Sequence, residues 1–194
     1  MKKIPTLFKR EFKNHKVVKV LPEVTPGMEW VLEGEGVATI KYDGACCAIL
    51  NGEFYKRYDA KHGKTPPEGA IPCCEPDKIT GHHPHWVKIN PDNPSDKWFI
   101  DAYNNTFKNS KIIFEGTYEA VGPHFQGNPY EYKKDVLLKH GTFEIKVMRS
   151  FQEIRNFLKN NVIEGIVFWK DGEPKCKIKR SDFGFKWGNN KKNV

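Results

Sequence analysis

GVATIKYDGACCAIL, residues 36–50, is the stretch on which the fold and the chemistry of this chain depend. Its two apolar halves predict two β-strands, and the residues Lys41-Tyr-Asp-Gly44 lie between them. A lysine between two such strands has little water around its ammonium group, which favours the neutral, nucleophilic amine. The alternative interpretation is a strand end followed by an ordinary Asp-Gly turn. The rest of the chain bears on this choice.

Length and composition predict one domain over residues 1–194, with basic N- and C-terminal segments and no separate C-terminal domain. The chain is 38% hydrophobic and 13% aromatic, which is enough for a core. It has no apolar run of about 18 residues that could span a membrane, and its N-terminus lacks the apolar stretch of a signal peptide. Its five cysteines do not have the spacing of a disulfide framework, so we expect an intracellular, reducing environment.

Positive charge is concentrated at the two ends of the chain. Residues 1–20 contain seven Lys or Arg against one acid, and residues 170–194 contain eight against three. The total charge is +8, so residues 21–169 carry −3. Basic ends around a slightly acidic body suit a protein that binds a polyanion such as a nucleic acid, although solvated basic tails are the alternative.

The pattern of strands and turns predicts an α+β fold rich in antiparallel strands. Asn51-Gly52 and Asp171-Gly172 are favourable hairpin turns between apolar strands, and Ser150-Phe-Gln-Glu153 is a capping box that opens a helix. Prolines between residues 61 and 110 predict an irregular elaboration there. A further strand is expected at Lys111-Ile-Ile-Phe-Glu115.

Seven charged residues lie beside these strands: Lys41, Asp43, Arg57, Glu115, Glu164, Lys177 and Lys179. The alternation of a strand places Lys177 and Lys179 on one face, where two cations require an anion such as a nucleotide phosphate or a neighbouring carboxylate. Glu164 precedes an apolar strand, which indicates a metal ligand or an ion-pair partner. Each of them alone could be an ordinary charge at a strand edge.

Their order along the chain resembles the motifs of the covalent nucleotidyltransferase superfamily, which comprises ATP-dependent DNA and RNA ligases and mRNA-capping guanylyltransferases. Lys41-Tyr-Asp-Gly44 is similar to motif I, Phe114-Glu115-Gly116 to motif III, Glu164-Gly-Ile-Val167 to motif IV and Lys177-Ile-Lys179 to motif V. The resemblance implies the antiparallel-sheet-rich, ATP-grasp-like adenylation fold of that superfamily. It also implies that Lys41 takes the nucleotide and that Glu164 works with the metal.

The same resemblance assigns the other nucleotide-binding residues. Arg57 would contact the nucleotide, and Lys177 and Lys179 would hold the α-phosphate. Glu115 would hold the ribose, with Glu119 as the rival because motif III reads Phe-Glu-Gly-Thr here. Asp43 belongs to motif I and would also be a nucleotide-binding residue.

Within the superfamily the chain is most similar to RNA ligases, and in particular to the small 5′–3′ RNA ligases known from animals. The resemblance includes Gly81-His-His-Pro-His-Trp-Val87, Gly127-Asn-Pro-Tyr130 and Gly184-Phe-Lys-Trp187. It implies ATP and Mg²⁺ or Mn²⁺ as cofactors, and RNA with 5′-phosphate and 3′-hydroxyl ends as substrate in RNA repair. No membrane and no obligate protein partner are expected.

Other interpretations stay open at this point. The chain could be a guanylyltransferase, a self-adenylylating enzyme or a non-catalytic RNA-binding module of the same fold. The cysteines and histidines between Cys73 and His85 suggest a zinc site, although adjacent cysteines are poor chelators, and His82 suits hydrogen bonding beside Trp86. Phe143 could stack on adenine, but its sequence context is more typical of a core residue.

Overall fold

The computed structural model describes residues 3–14, 16–61, 63–77, 80–110 and 112–188. The chain divides into two compact units, one spanning Asp43–His140 and the other Lys3–Tyr42 with Gly141–Val194. The division falls directly after Tyr42, inside the Lys41-Tyr-Asp-Gly44 motif. No helix in the described part of the chain is long and apolar enough to cross a membrane.

The first unit contains a six-stranded antiparallel sheet and one α-helix. Its strands are β4 (Ala45–Leu50), β5 (Glu53–Ala60), β6 (Ile71–Pro72), β7 (His83–Lys88), β8 (Gly116–Val121) and β9 (Val136–Lys139), in the order β6-β7-β5-β4-β8-β9. Helix α1 (Lys97–Phe107) packs its Phe99, Ala102 and Tyr103 against the sheet residues Cys47, Ile49 and Tyr118. The core of this unit therefore lies between one helix and one sheet face.

The second unit contains two smaller sheets and one helix. Strands β1 (Phe8–Lys13) and β2 (Lys16–Val24) form an antiparallel pair. Strands β3 (Val37–Lys41), β10 (Gly165–Lys170) and β11 (Glu173–Lys179) form a second sheet in the order β11-β10-β3. Helix α2 (Phe151–Asn160) packs Ile154 and Leu158 against Ile166, Phe168 and Ile178, so one face of this second sheet is core.

Both edges of the three-stranded sheet are covered by short segments of chain. Residues 5–7 run along β11, where Leu7 donates its N–H to the Lys177 carbonyl at 2.7 Å. Residues 143–145 run along β3, where the Ile40 N–H donates to the Phe143 carbonyl at 3.0 Å and the Ile145 N–H donates to the Ala38 carbonyl at 2.9 Å. Both outer strands therefore have backbone partners beyond the sheet.

Several predicted elements are confirmed. Both Asn51-Gly52 and Asp171-Gly172 adopt positive φ angles in tight turns, joining β4 to β5 and β10 to β11. The Ser150 hydroxyl accepts the Glu153 N–H at 3.2 Å and thereby caps α2. The observed secondary structure is α+β with antiparallel strands, as the pattern indicated.

Other predicted elements are wrong. Residues 61–110 are not irregular throughout, because β7 pairs along β5 and α1 occupies Lys97–Phe107. Pro84 is tolerated inside β7, and the prolines at 91 and 94 precede α1. The strand expected at 111–115 begins only at Gly116, and Lys111 itself lies outside the described residues. The basic residues of 189–194 also lie outside them.

Candidate active site

Three strands of the second unit bring four of the expected site residues together. Gly165 on β10 lies opposite Lys41 on one side and opposite Lys179 on the other. Lys177 lies two pairs further along, opposite Val167. Residues that lie opposite each other in an antiparallel sheet share a face, so the three lysines project from one face while the other face packs into the core.

Glu164 is the carboxylate that pairs with two of these three lysines. Its side chain is 6% exposed, and its two oxygens form ion pairs with Lys41 and, at 2.9 Å, with Lys179. Burying a carboxylate is unfavourable unless cations or hydrogen bonds compensate its charge. Of the two roles that its sequence position indicates, a metal ligand or an ion-pair partner, Glu164 has that of an ion-pair partner in this structure.

Gly165 allows β10 and β11 to pack closely beside this carboxylate. A Cβ atom at this position would overlap the carbonyl oxygen of Ile178, which belongs to the neighbouring strand. The position therefore requires glycine for close strand packing. Because glycine has no side chain, Gly165 places no side-chain atoms between Lys41 and Lys179.

Lys177 differs from the other two lysines. Among the described residues none forms an ion pair or a hydrogen bond with its ammonium group. Burial, together with the positive charges of Lys41 and Lys179, lowers the pKa of Lys177 to about 8. Glu164 acts in the opposite direction. An anion placed between the lysines would therefore stabilise a charge that the protein alone does not balance.

The charge balance of this cluster favours an anionic ligand. Three ammonium groups against one carboxylate leave a charge of +2 on one sheet face. A phosphate group would balance this charge, because it accepts charge-assisted hydrogen bonds from lysines.

A divalent metal would have to share the site with such a ligand. No group of three His, Cys, Asp or Glu residues within the described ranges could hold a metal ion by itself. Mg²⁺ at nucleotide sites is usually held by one or two carboxylates together with phosphate oxygens and water. Glu164 can serve as such a carboxylate, so the residues present fit a Mg²⁺ that is bound jointly with a nucleotide.

Arg180 fixes the backbone that carries Glu164, and sequence reasoning did not identify it. Its N–H donates to the Glu164 carbonyl at 2.8 Å. Its guanidinium donates to the carbonyls of Leu158 and Asn161, the latter at 2.8 Å, at the C-terminal end of α2. This arginine therefore caps the helix and ties its end to the strand end that carries Lys179. The sequence signal that could have pointed to Arg180 is its position directly after Lys177-Ile-Lys179.

Two aromatic rings lie next to the lysine strand. Tyr42 and Phe143 pack edge to face, with ring centroids 5.4 Å apart. Phe143 is 43% exposed, so it is not the core residue that its sequence context indicates. An exposed ring beside Lys41 keeps open the alternative interpretation, in which Phe143 stacks on a base.

The first unit holds the two candidate acids for motif III, and they lie in different places. Glu119 on β8 accepts the Gly44 N–H at 3.0 Å and pairs with His140 at 3.0 Å. Glu115 is exposed and accepts the N–H of Gly52, in the turn at the other end of β4. A strand of six residues is ~20 Å long, so Glu115 lies well away from Gly44 while Glu119 contacts it. Of the two acids, Glu119 is the one that contacts the Lys41-Tyr-Asp-Gly44 motif.

The two remaining nucleotide-binding candidates also belong to the first unit. The Asp43 N–H donates to the Tyr130 hydroxyl at 2.7 Å, which helps to fix the chain directly after the lysine motif. Arg57 lies on β5, and its Nε is buried without a hydrogen-bond partner among the described residues. A buried guanidinium nitrogen without an acceptor is unfavourable, which is consistent with a ligand that completes its contacts.

Two of the histidines between residues 73 and 85 have partners other than a metal ion. His82 pairs with Asp59 at 3.1 Å, and His85 contacts the His83 carbonyl at 2.8 Å. All five cysteines are free thiols, and burial raises the pKa of Cys46 and of Cys176 to about 12. The contacts of His82 agree with a hydrogen-bonding role.

Comparison with known proteins gives one similarity that covers nearly the whole chain. No protein-family model matches the chain. It is 23% identical to a protein named RNA ligase 1 from Pongo abelii, over 96% of this chain and 82% of that protein. The similarity to a protein with this name agrees with the resemblance to RNA ligases and, at that level, indicates a ligase.

Proposed function

We propose that this protein is an ATP-dependent RNA ligase that joins 5′-phosphate and 3′-hydroxyl ends of RNA through a lysyl-AMP intermediate. The observation that carries the proposal is the meeting of Lys41 with Glu164, Lys177 and Lys179 on one sheet face. The similarity to a protein named RNA ligase 1 supports the same assignment. The proposal includes the ATP-grasp-like nucleotidyltransferase fold, which the antiparallel α+β architecture suits, and a role in RNA repair.

In the first step the Lys41 amine attacks the α-phosphorus of ATP. A bond forms between Nζ and phosphorus, the bond from phosphorus to the pyrophosphate oxygen breaks, and the lysine loses its proton to solvent. Lys177 and Lys179 neutralise the charge on the α-phosphate as these bonds change. Entry of the phosphate replaces the contact that Lys41 makes with Glu164 in the free protein.

Glu164 has two tasks in this scheme. In the free protein it holds Lys41 and Lys179 in place, which keeps the nucleophile oriented. With nucleotide bound, its carboxylate would hold Mg²⁺, which supplies charge stabilisation on the phosphate oxygens. Phe143, exposed beside Tyr42, offers a ring on which the adenine base can stack.

The later steps move AMP to the RNA and then release it. The RNA 5′-phosphate oxygen attacks the α-phosphorus, the bond from Nζ to phosphorus breaks, and the amine regains a proton from solvent. A 3′-hydroxyl then attacks the activated 5′-phosphate and loses its proton to solvent, and AMP leaves with the electrons of the broken anhydride bond. The basic β1–β2 pair and the C-terminal basic residues bind the RNA backbone.

The decisive experiment is covalent labelling of the folded protein. Wild type, Lys41→Ala and the control Lys146→Ala are incubated with ATP labelled at the α-phosphate and Mg²⁺, and then separated under denaturing conditions. We expect an acid-labile, alkali-stable label on wild type and on Lys146→Ala, in which an exposed lysine of the same unit is removed, and none on Lys41→Ala. A folded wild type that takes no label would contradict the ligase assignment.

The remaining candidate functions are separated by repeating the labelling with GTP and by adding assays of RNA joining and RNA binding. Labelling by GTP in preference to ATP indicates a guanylyltransferase. Labelling by ATP without joining of 5′-phosphorylated RNA indicates a self-adenylylating enzyme. RNA binding that is equal in wild type and Lys41→Ala, with no label in either, indicates a binding module.

A further inference from the structure

A cavity of about 470 Å³ lies beside β11 in the second unit. Its volume is within the range of small-ligand pockets, ~300–1,000 Å³. Four of its seven lining residues are cationic and none is acidic: Lys3, Ile4, Pro5, Thr6, Arg10, Lys177 and Lys179. Lys177 and Lys179 belong to the site described above, whereas the N-terminal cations Lys3 and Arg10 have no role in it.

The N-terminal segment forms the wall of this cavity because it pairs with β11. The Lys177 N–H donates to the Pro5 carbonyl at 3.0 Å, and the Leu7 N–H donates to the Lys177 carbonyl at 2.7 Å. These bonds place Lys3 and Arg10 at the cavity next to the two lysines of β11. Arg10 contacts Asp182 through one nitrogen at 3.4 Å, and its guanidinium has further N–H groups for an anion.

The order of the strands places the cavity on a particular side of the phosphate site. Lys41 lies on β3, β10 is next, β11 follows, and residues 5–7 lie beyond β11. Adjacent strands are ~4.8 Å apart, so Lys41 and the β11 lysines are separated by two strand spacings. An α-phosphate held by Lys177 and Lys179 would therefore have Lys41 on one side and the cavity on the other.

In phosphoryl transfer the entering and the leaving atoms lie roughly in line across the phosphorus. We propose, on the basis of the proposed ligase function, that this cavity binds the phosphoryl group that lies opposite Lys41 across the α-phosphorus. In the first step this group is the departing pyrophosphate of ATP. In the second step it is the entering RNA 5′-phosphate, whose oxygen bonds to phosphorus as the bond to Lys41 Nζ breaks. Arg10 and Lys3 are the residues that hold it.

The first test measures binding of inorganic pyrophosphate by calorimetry, without nucleotide. The variants are Arg10→Gln and Lys3→Gln, and the control is Lys9→Gln, which removes a neighbouring charge that pairs with Glu23 and does not line the cavity. We expect Arg10→Gln to weaken binding about tenfold or more, Lys3→Gln to weaken it less, and Lys9→Gln to bind like wild type. Equal binding by all four proteins overturns the proposal.

The second test separates the two sources of the phosphoryl group. Protein carrying labelled AMP is mixed with pyrophosphate, which regenerates ATP, or with 5′-phosphorylated RNA, with 5′-hydroxyl RNA as the blank. A KM that rises in Arg10→Gln for pyrophosphate, for 5′-phosphorylated RNA or for both supports the subsite. The substrate whose KM rises is the one that binds there. A KM unchanged for both overturns it.

Failure of the ligase assignment would look different from failure of the cavity. Wild type that takes no label from ATP, yet binds pyrophosphate through Arg10, contradicts the proposed function and the in-line role while the anion subsite stands. Wild type that takes label, with pyrophosphate binding insensitive to Arg10 and Lys3, contradicts the cavity alone.

Discussion

At the scale of single residues, Lys177 is distinctive because its charge has no acidic partner among the described residues. Its pKa is lowered to about 8 from an ordinary value of 10.5. Between these two values the unfolded chain binds more protons at this residue than the folded chain. The contribution of Lys177 to stability is therefore most unfavourable below pH 8 and becomes less so as the pH rises through 8 towards 10.5.

We predict that Lys177→Met is more stable than wild type at pH 7 and that its advantage shrinks by pH 10. Urea unfolding of both proteins at pH 7, 8, 9 and 10 measures this difference in the free energy of unfolding. Lys146→Met, which changes an exposed lysine of the same unit, serves as the control. A difference for Lys177→Met that stays constant across this pH range would show that burial does not disfavour its charge.

The Lys41–Glu164 pair is the second prediction at this scale. Glu164→Gln removes the carboxylate that pairs with Lys41 and Lys179 and leaves their charges uncompensated, so it should destabilise the protein. Lys41→Met leaves Glu164 paired with Lys179, so it should destabilise the protein less. We predict that a double-mutant cycle gives a coupling free energy of about 0.5–3 kcal/mol, because the carboxylate is buried. The exposed pair Lys9–Glu23 is the matched control and should give a much smaller coupling. Equal couplings would refute the argument from burial.

The residues also show how far the sequence can be trusted. The neighbourhood of Glu164, Lys177 and Lys179 could be predicted because a short hairpin with a clear turn joins their strands. That Lys41 belongs with them rested on the resemblance, because β3 and β10 are far apart in the sequence. The choice between Glu115 and Glu119 could not be made, because it depends on where β8 begins. Two glutamates four residues apart in one sequence give no indication of which end of the neighbouring strand each will reach.

At the scale of elements, α2 and β11 are held together by Arg180. We predict that Arg180→Ala lowers the free energy of unfolding by about 1–3 kcal/mol, because it leaves carbonyls at the end of α2 without donors. It should also slow labelling by ATP, since the chain that carries Glu164 is less well fixed. Urea unfolding and the labelling rate measure the two effects.

Lys159→Ala is the control for Arg180→Ala. This lysine is exposed in the last turn of α2, so its removal should have little effect on labelling. A labelling rate that falls equally in both variants would indicate a general effect of charge.

The elements that could be predicted are those with strong local signals. The two hairpins and α2 have turn residues and a capping serine that act over a few positions. Helix α1 has apolar residues at helical spacing, but the prolines around it outweighed that pattern in the prediction. The pairing of residues 5–7 with β11 could not be predicted, because it joins positions that are far apart in the sequence.

At the scale of the whole molecule, charge is divided unequally between the two units. Residues 3–42 and 141–194 contain 19 Lys or Arg against 11 acids, a net charge of +8, whereas residues 43–140 contain 12 against 13. The unit that holds Lys41 therefore carries the positive charge that would attract RNA.

We predict that RNA affinity depends on the lysines of the second unit. Replacing Lys9, Lys13 and Lys19 of β1 and β2 by Gln should reduce the slope of log K against log[salt] by about 2, because each phosphate contact to a single strand contributes ~0.7. Replacing three exposed lysines of the first unit, Lys88, Lys108 and Lys133, is the control and should change the slope little. The measurement is binding of a labelled single-stranded RNA over a range of KCl concentrations, and equal slopes in the two triple variants would argue against this surface.

The pairing of residues 5–7 with β11 has a consequence for the biosynthesis of the protein. The backbones of Leu7 and Lys177 are hydrogen-bonded to each other, and Lys41 pairs with Gly165 of β10, a strand that follows it by more than a hundred residues. Contacts between such distant positions form slowly, because a long loop must close before they can stabilise anything. Because Glu164, Lys177 and Lys179 are also synthesised long after Lys41, a nascent chain that stalls before Lys179 cannot complete the lysine cluster.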